Sequence, residues 1–184
     1  MTIAGEGWEL HIVRQREQRR WSDGRRRTIG HYQVYHDGVA QDASGLSGMT
    51  AEAKGPGANV PADNGKRIEA GRYPLWTQEP GHYATHDYSN SQDPDVVPKP
   101  GLELKDTGNR YEILVHPGNG FLSSVGCINL CMSLPDAREP FDYAPSRRRV
   151  ISVIKDIKSY PGNEFPGSNG KRIPRAWVVI DGEP

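Results

Sequence analysis

The sequence predicts a mainly β domain, a β-rich α+β fold with one helix in its C-terminal half. Three observations lead there. Glycine and proline number 21 and 15 in 184 residues, which favours many short connections over a helical bundle. Several short segments alternate apolar and polar residues, or run apolar between turn signals. Only one segment carries an apolar stripe at helical spacing. A chain of this length fits a single domain, residues 1–184, because two halves would each struggle to bury a core.

Taken in order, Trp8 to Arg14 and Thr28 to His36 alternate as strands do. The link between them, Gln15 to Arg27, is rich in arginine, contains Trp21 and turns at Asp23-Gly24. Such a tip could contact an anionic polymer, but Glu17 and Asp23 interrupt it, so the preferred reading is a solvated hairpin tip. Residues 37–70 and 78–100 read as long irregular stretches around a short strand from Tyr73 to Thr77. Arg110 to His116 reads as a buried strand stopped by Pro117-Gly118-Asn119-Gly120. Ser146 to Tyr160 is the helix, with Val150, Ile151, Val153, Ile154 and Ile157 as its stripe, Ser146 as N-cap and Pro161-Gly162 as its end. Ala176 to Ile180 is the last strand.

Lys plus Arg equals Asp plus Glu at 23 each, so no global field draws the chain to nucleic acid, and no nucleic-acid partner is expected. No apolar run approaches the roughly 18 residues of a membrane segment. The first residues lack the basic patch and apolar run of a secretory signal, so the expectation is synthesis in the cytoplasm. Cys127 and Cys131 lie four residues apart, and a bond between them would staple almost nothing.

The chemistry concentrates between His116 and Asn129. A strand ends at His116, a glycine-rich turn follows, and Ser123-Ser124-Val125-Gly126-Cys127 leads into an apolar segment. A thiol nucleophile acts as its anion, and an imidazole folded back beside it can take the proton. Gly126 lets the backbone approach a scissile carbonyl, and the amides of Val125, Gly126 and Cys127 are candidate donors to an oxyanion. The plain alternative makes Cys127 a small buried hydrophobe and His116 a turn residue. A zinc set of His116, Cys127, Cys131 and His82 or His86 is weaker, because the histidines sit far off in a loop, and no metal is expected. Cys131 reads as a core residue, with a resolving thiol for oxidised Cys127 as the minority reading.

His116-x-Gly118-Asn119, followed by Ser124-x-Gly126-Cys127-Ile128-Asn129, resembles the signature of L,D-transpeptidase catalytic domains. Those carry a strand His, then Ser/Thr-His-Gly-Cys, then a hydrophobic residue and Asn or Arg. Upstream, Thr28-Ile29-Gly30-x-Tyr32, Leu46-Ser47-Gly48, Glu52, Gly55-Pro56-Gly57-x-Asn59 and Arg67-Ile68-x-x-Gly71-x-Tyr73-Pro74-Leu75 resemble a small bacterial and phage family ending in a similar His-x-Gly-Asn…Gly-Cys-Ile motif. The resemblance spans roughly residues 8 to 134. One position departs: Val125 stands where L,D-transpeptidases place His, so only its amide can serve the site.

The resemblance implies an L,D-transpeptidase-like β-sandwich or barrel. It implies attack by Cys127, with His116 as base, on an L,D-peptide bond of a peptidoglycan stem peptide. Water would then complete an L,D-carboxypeptidase reaction, and an amine a crosslink or exchange. The Pro117 carbonyl would orient the imidazole, while Asn119, Ser124 and Asn129 are candidates to shape the site or bind substrate. Tyr83, His86 and Tyr88 are candidates to cover the cleft. No cofactor is implied. Peptidoglycan lies outside the cytoplasm, so the expectation is a toxin delivered to a rival's periplasm by a secretion system, with a carrier or an immunity protein as partner. Two readings stay beside it: a phage or secretion-system accessory module that keeps the fold without activity, and a cytoplasmic cysteine amidase or peptidase with a non-wall substrate.

Overall fold

A computed structural model describes residues 2–162 and 164–184. The strands are β1 (Trp8–Arg19), β2 (Arg26–His36), β3 (Val39–Ala40), β4 (Ser47–Glu52), β5 (Gly71–Thr77), β6 (Tyr83–Ala84), β7 (Lys99–Pro100), β8 (Leu102–Leu104), β9 (Ile113–Pro117) and β10 (Ile128–Cys131). The helix α1 (Tyr143–Ser159) and β11 (Arg172–Asp181) complete the chain.

The strands run β1-β11-β5-β8-β9-β10-β4-β2, and β2 pairs back onto β1. Eight strands therefore close a barrel, which leaves no long open edge among them. β3 extends β2 as a short hairpin, and β6 with β7 forms a separate parallel pair. Alternation along the strands fills the interior. Leu10 and Ile12 of β1, Tyr32 and Val34 of β2, Val115 of β9, and Ile128 and Leu130 of β10 join one buried cluster. Val150, Val153, Ile154 and Ile157 of α1 enter the same cluster, so the barrel and the helix share a core. Trp8 lies fully buried in it, with its indole N–H donating to Asp156 on α1 at 2.7 Å.

Several sequence expectations shift by a few residues for identifiable reasons. The helix starts at Tyr143, capped by Asp142, whose carboxylate accepts from the Ala144 amide at 3.2 Å. Ser146 is thus not the N-cap but a buried residue of the second turn. β9 starts at Ile113 rather than Arg110, because Glu112 adopts φ +54° and Tyr111 is 72% exposed. β4 lay hidden in an expected loop, since Ser47-Gly48-Met49-Thr50-Ala51-Glu52 has little apolar signal of its own. The arginine-rich hairpin tip is only partly solvated. Trp21 is 93% exposed, but Arg27 is fully buried and donates to Gln18, Phe121 O and Asp136 O at 2.8–2.9 Å. That arginine ties β2 to the loop that carries Cys127.

Candidate active site

β9 and β10 run parallel, with Asn129 opposite His116 and Ile128 opposite Val115. Val115, Ile128 and Leu130 point into the barrel, so Leu114, His116, Cys127 and Asn129 face outward. His116 and Cys127 are therefore diagonal neighbours on one face of adjacent strands. The crossover between the strands, residues 118–127, is short and contains no helix. It is held by side chains instead.

Ser124 and Ser123 close two turns within that loop. The Ser124 hydroxyl accepts from the Gly126 amide at 2.9 Å and donates to Cys127 O at 2.6 Å. The Ser123 hydroxyl accepts from the Asn119 amide and donates to Asn119 O, both at 2.7 Å. Asn119 thus meets the loop through its backbone. It is exposed, and among the described residues its side chain makes no hydrogen bond. The engaged Gly126 amide corrects the expected three-donor oxyanion hole: Ser124 occupies one donor, leaving Val125 and Cys127 as candidates. Val125 is 72% exposed, with its side chain toward solvent.

Gly126 has a second role that its sequence position did not reveal. Its φ is +152°, and a Cβ there would sit 1.7 Å from Arg110 Nη2. The glycine makes room for a guanidinium as well as for close backbone approach. Arg110 Nη2 donates to Val125 O at 2.8 Å, pinning the peptide just before Gly126.

The imidazole is almost completely buried. Nδ1–H donates to Pro117 O at 2.9 Å, which leaves Nε2 as the unprotonated, basic nitrogen. Asn129 Nδ2 lies 3.4 Å from Nδ1 and 3.5 Å from Nε2. Near-equal distances place the amide against the ring face rather than in its plane. Asn129 also spans the two strands, donating to His116 O at 3.3 Å and accepting from the Ser123 amide at 3.3 Å. Tyr83 packs on the imidazole with ring centroids 4.4 Å apart. Of the loop residues expected over the cleft, only Tyr83 reaches it. His86 turns to Pro166 O at 2.9 Å, and Tyr88 packs on the core near Arg147.

Burial pushes the imidazole down to about 4, with Lys99 adding to the effect and the Pro117 bond opposing it. Burial pushes the Cys127 thiol up to about 11, against the Leu114 amide and Arg110, which favour the anion. The resting pair is therefore neutral thiol and neutral imidazole at pH 7. The thiol is held by backbone, not by the imidazole. Leu114 N–H donates to Sγ and S–H donates to Glu112 O, each at 3.4 Å. Two cavities meet at Cys127. One of about 290 Å³ is lined by Tyr83, His82, Glu112 and Leu114. The other, of about 180 Å³, is lined by Arg110, Asp63, Glu112 and Gly126.

Cys131 lies four residues along the extended chain from Cys127, about 13 Å at ~3.3 Å per residue. A disulfide needs Cα atoms within about 7 Å, so the resolving-thiol reading fails. Cys131 belongs instead to a small outer cluster with Ile29, Ala51, Leu134 and Phe141. Among the described residues, no three His, Cys, Asp or Glu side chains are gathered as a metal ion would need.

Ser146 supports the site from α1, a role that the N-cap expectation obscured. Its hydroxyl accepts from Gly118 N–H at 2.7 Å and donates to Leu130 O at 2.5 Å. It therefore fixes the chain just after His116 and Pro117 to β10. Ser146→Ala strands two buried backbone groups and should cost about 1–3 kcal/mol, read by urea unfolding. An unchanged unfolding midpoint would remove this strut.

Scans against family models, curated proteins and solved structures return no match for this chain.

Proposed function

We propose that this protein is a cysteine acyl-transfer enzyme of the L,D-transpeptidase kind, acting on peptidoglycan stem peptides. The observation that carries the reading is an Nδ1-pinned imidazole and a thiol on one face of two adjacent parallel strands, with the thiol where two cavities meet.

In this reading the thiol leaves its backbone clasp and attacks the scissile carbonyl carbon. The S–H proton passes to Nε2 as the C–S bond forms. Amides of Val125 and Cys127 receive the developing oxyanion. The imidazolium then protonates the leaving amine as the C–N bond breaks, giving a thioester on Cys127 and a neutral imidazole. Water or an amine, deprotonated by Nε2, resolves the thioester by carboxypeptidase, crosslinking or exchange chemistry. Action in the periplasm after delivery by a secretion system, with a carrier or immunity protein as partner, belongs to the same proposal. Among the described residues no helix is long and apolar enough to cross a membrane.

The test is a muropeptide digest compared by mass spectrometry. The wild-type chain should shorten, exchange or crosslink stem peptides, and Cys127→Ala should leave them as supplied. Identical profiles would sink the proposal. They would favour a fold-keeping accessory module, the reading that the neutral resting thiol and Val125 support. A Cys127 that reacts with an activated acyl ester while muropeptides stay intact would point instead to an amidase or peptidase with a non-wall substrate.

A further inference from the structure

Among the described residues, the guanidinium beside Cys127 makes no ion pair with a carboxylate. Arg110 is only 7% exposed, yet its hydrogen bonds go to two neutral carbonyls, Ala58 O at 3.1 Å and Val125 O at 2.8 Å. Two other buried arginines meet carboxylates, while Arg27, like Arg110, donates to neutral acceptors. Arg14 meets Glu52 at 2.7 Å, and Arg67 meets Glu183 at 2.8 Å. A buried charge is ordinarily paired or satisfied by a ligand. Arg110 instead lines the cavity of about 180 Å³ that opens on Cys127, with Asp63 and Glu112 on the same wall. Asp63 acts on it through space rather than by contact.

We propose that this cavity is an amino-acid subsite, in which Arg110 takes the free carboxylate of the residue that leaves Cys127 or attacks its thioester. The inference rests on the acyl-transfer reading for the role of that residue, though not for its binding. Guanidinium and carboxylate match as planar partners. Asp63 and Glu112 supply the opposite sign, for the ammonium that the residue carries once released. One cation and two carboxylates select a zwitterion over a dianion. The cavity, of about 180 Å³, has room for one small residue. The subsite therefore makes the enzyme act at the last residue of a peptide. When the C–N bond breaks, the amine takes the imidazolium proton and the free amino acid departs from this cavity. In exchange, a neutral amine held there attacks the thioester and the previous step runs in reverse.

Binding separates this inference from the catalytic one. Full-length Cys127→Ala protein, which cannot turn over, is titrated with D-alanine and with D-alaninamide by calorimetry. The acid should bind at least tenfold more tightly than the amide, and the preference should vanish in the Cys127→Ala/Arg110→Gln protein. Equal affinity for acid and amide, or no binding of either, overturns the subsite. If Arg110→Gln does not fold by circular dichroism, the acid–amide comparison with the arginine intact decides. D-alanine binding beside unchanged muropeptides would keep the subsite and remove the enzyme.

Discussion

Replacing His116 with Gln is expected to lower kcat/KM on stem peptides by roughly 10²–10⁴-fold, the usual contribution of a positioned general base. The side chain of Gln can still donate to Pro117 O, so the strand geometry survives while the basic Nε2 is lost. The wild-type pH profile should distinguish this site from a preformed thiolate–imidazolium pair. With the imidazole near 4 and the thiol near 11, activity should rise as pH climbs through about 4 and then run flat across neutrality. An ion pair would instead give a thiolate at neutral pH. Iodoacetamide reports the difference directly. Alkylation of resting Cys127 should be slow at pH 7 and speed up about tenfold per pH unit toward 11. Rapid alkylation at pH 7, or full activity in His116→Gln, would overturn the neutral-pair mechanism.

The same histidine sets a stability term of known sign. The folded value of about 4 lies below the ordinary 6.5, so the unfolded chain binds the proton first. Above pH 6.5 both states are neutral and the term is absent. As pH falls from 6.5 to 4 it destabilises the fold, reaching about 3 kcal/mol. His116→Gln should lack that share of the acid sensitivity.

Glu52→Ala is expected to cost about 3–5 kcal/mol, because it leaves the Arg14 guanidinium buried without its main counter-charge. The pair is bidentate at 2.7 and 2.8 Å, with both side chains essentially out of solvent. It joins β1 to β4 across the intervening β2, and Arg14 also donates to Ile68 O at 2.8 Å. For a chain of this size the melting temperature should fall by roughly 6–20 °C in calorimetry. Glu52→Gln, which keeps the shape and an acceptor oxygen, should fall less. A wild-type melting temperature in Glu52→Ala would show that the pair is not holding the barrel end.

That staple also explains the upstream motif pieces. Thr28, Glu52, Gly55 and Arg67 were legible as recurring letters without a role. They converge at one end of the barrel, where Arg67 donates to the Thr28 hydroxyl at 2.6 Å. A Cβ on Gly55 would lie 2.4 Å from the same guanidinium. Asn59 bridges to Tyr73 and Glu69 at 3.1–3.2 Å. These residues close the barrel and carry the loop that reaches Ala62 and Asp63 beside Cys127.

Local pattern by itself determined the β-rich class, the β1–β2 hairpin, the helix with its apolar face, and the placing of His116 at a strand end with Cys127 after a glycine-rich turn. Each depends on neighbours in the chain: alternation, helical spacing, and turn residues. Tertiary structure alone decided the barrel closure, because pairing β2 back to β1 and β9 to β10 is fixed by burial between distant segments. It also decided the charge state of the pair. Burial, not sequence spacing, lowers the imidazole and raises the thiol. It moved Ser146 from a cap to a strut, and it brought Arg110 over Gly126, sixteen residues along the chain, where no local signal pointed.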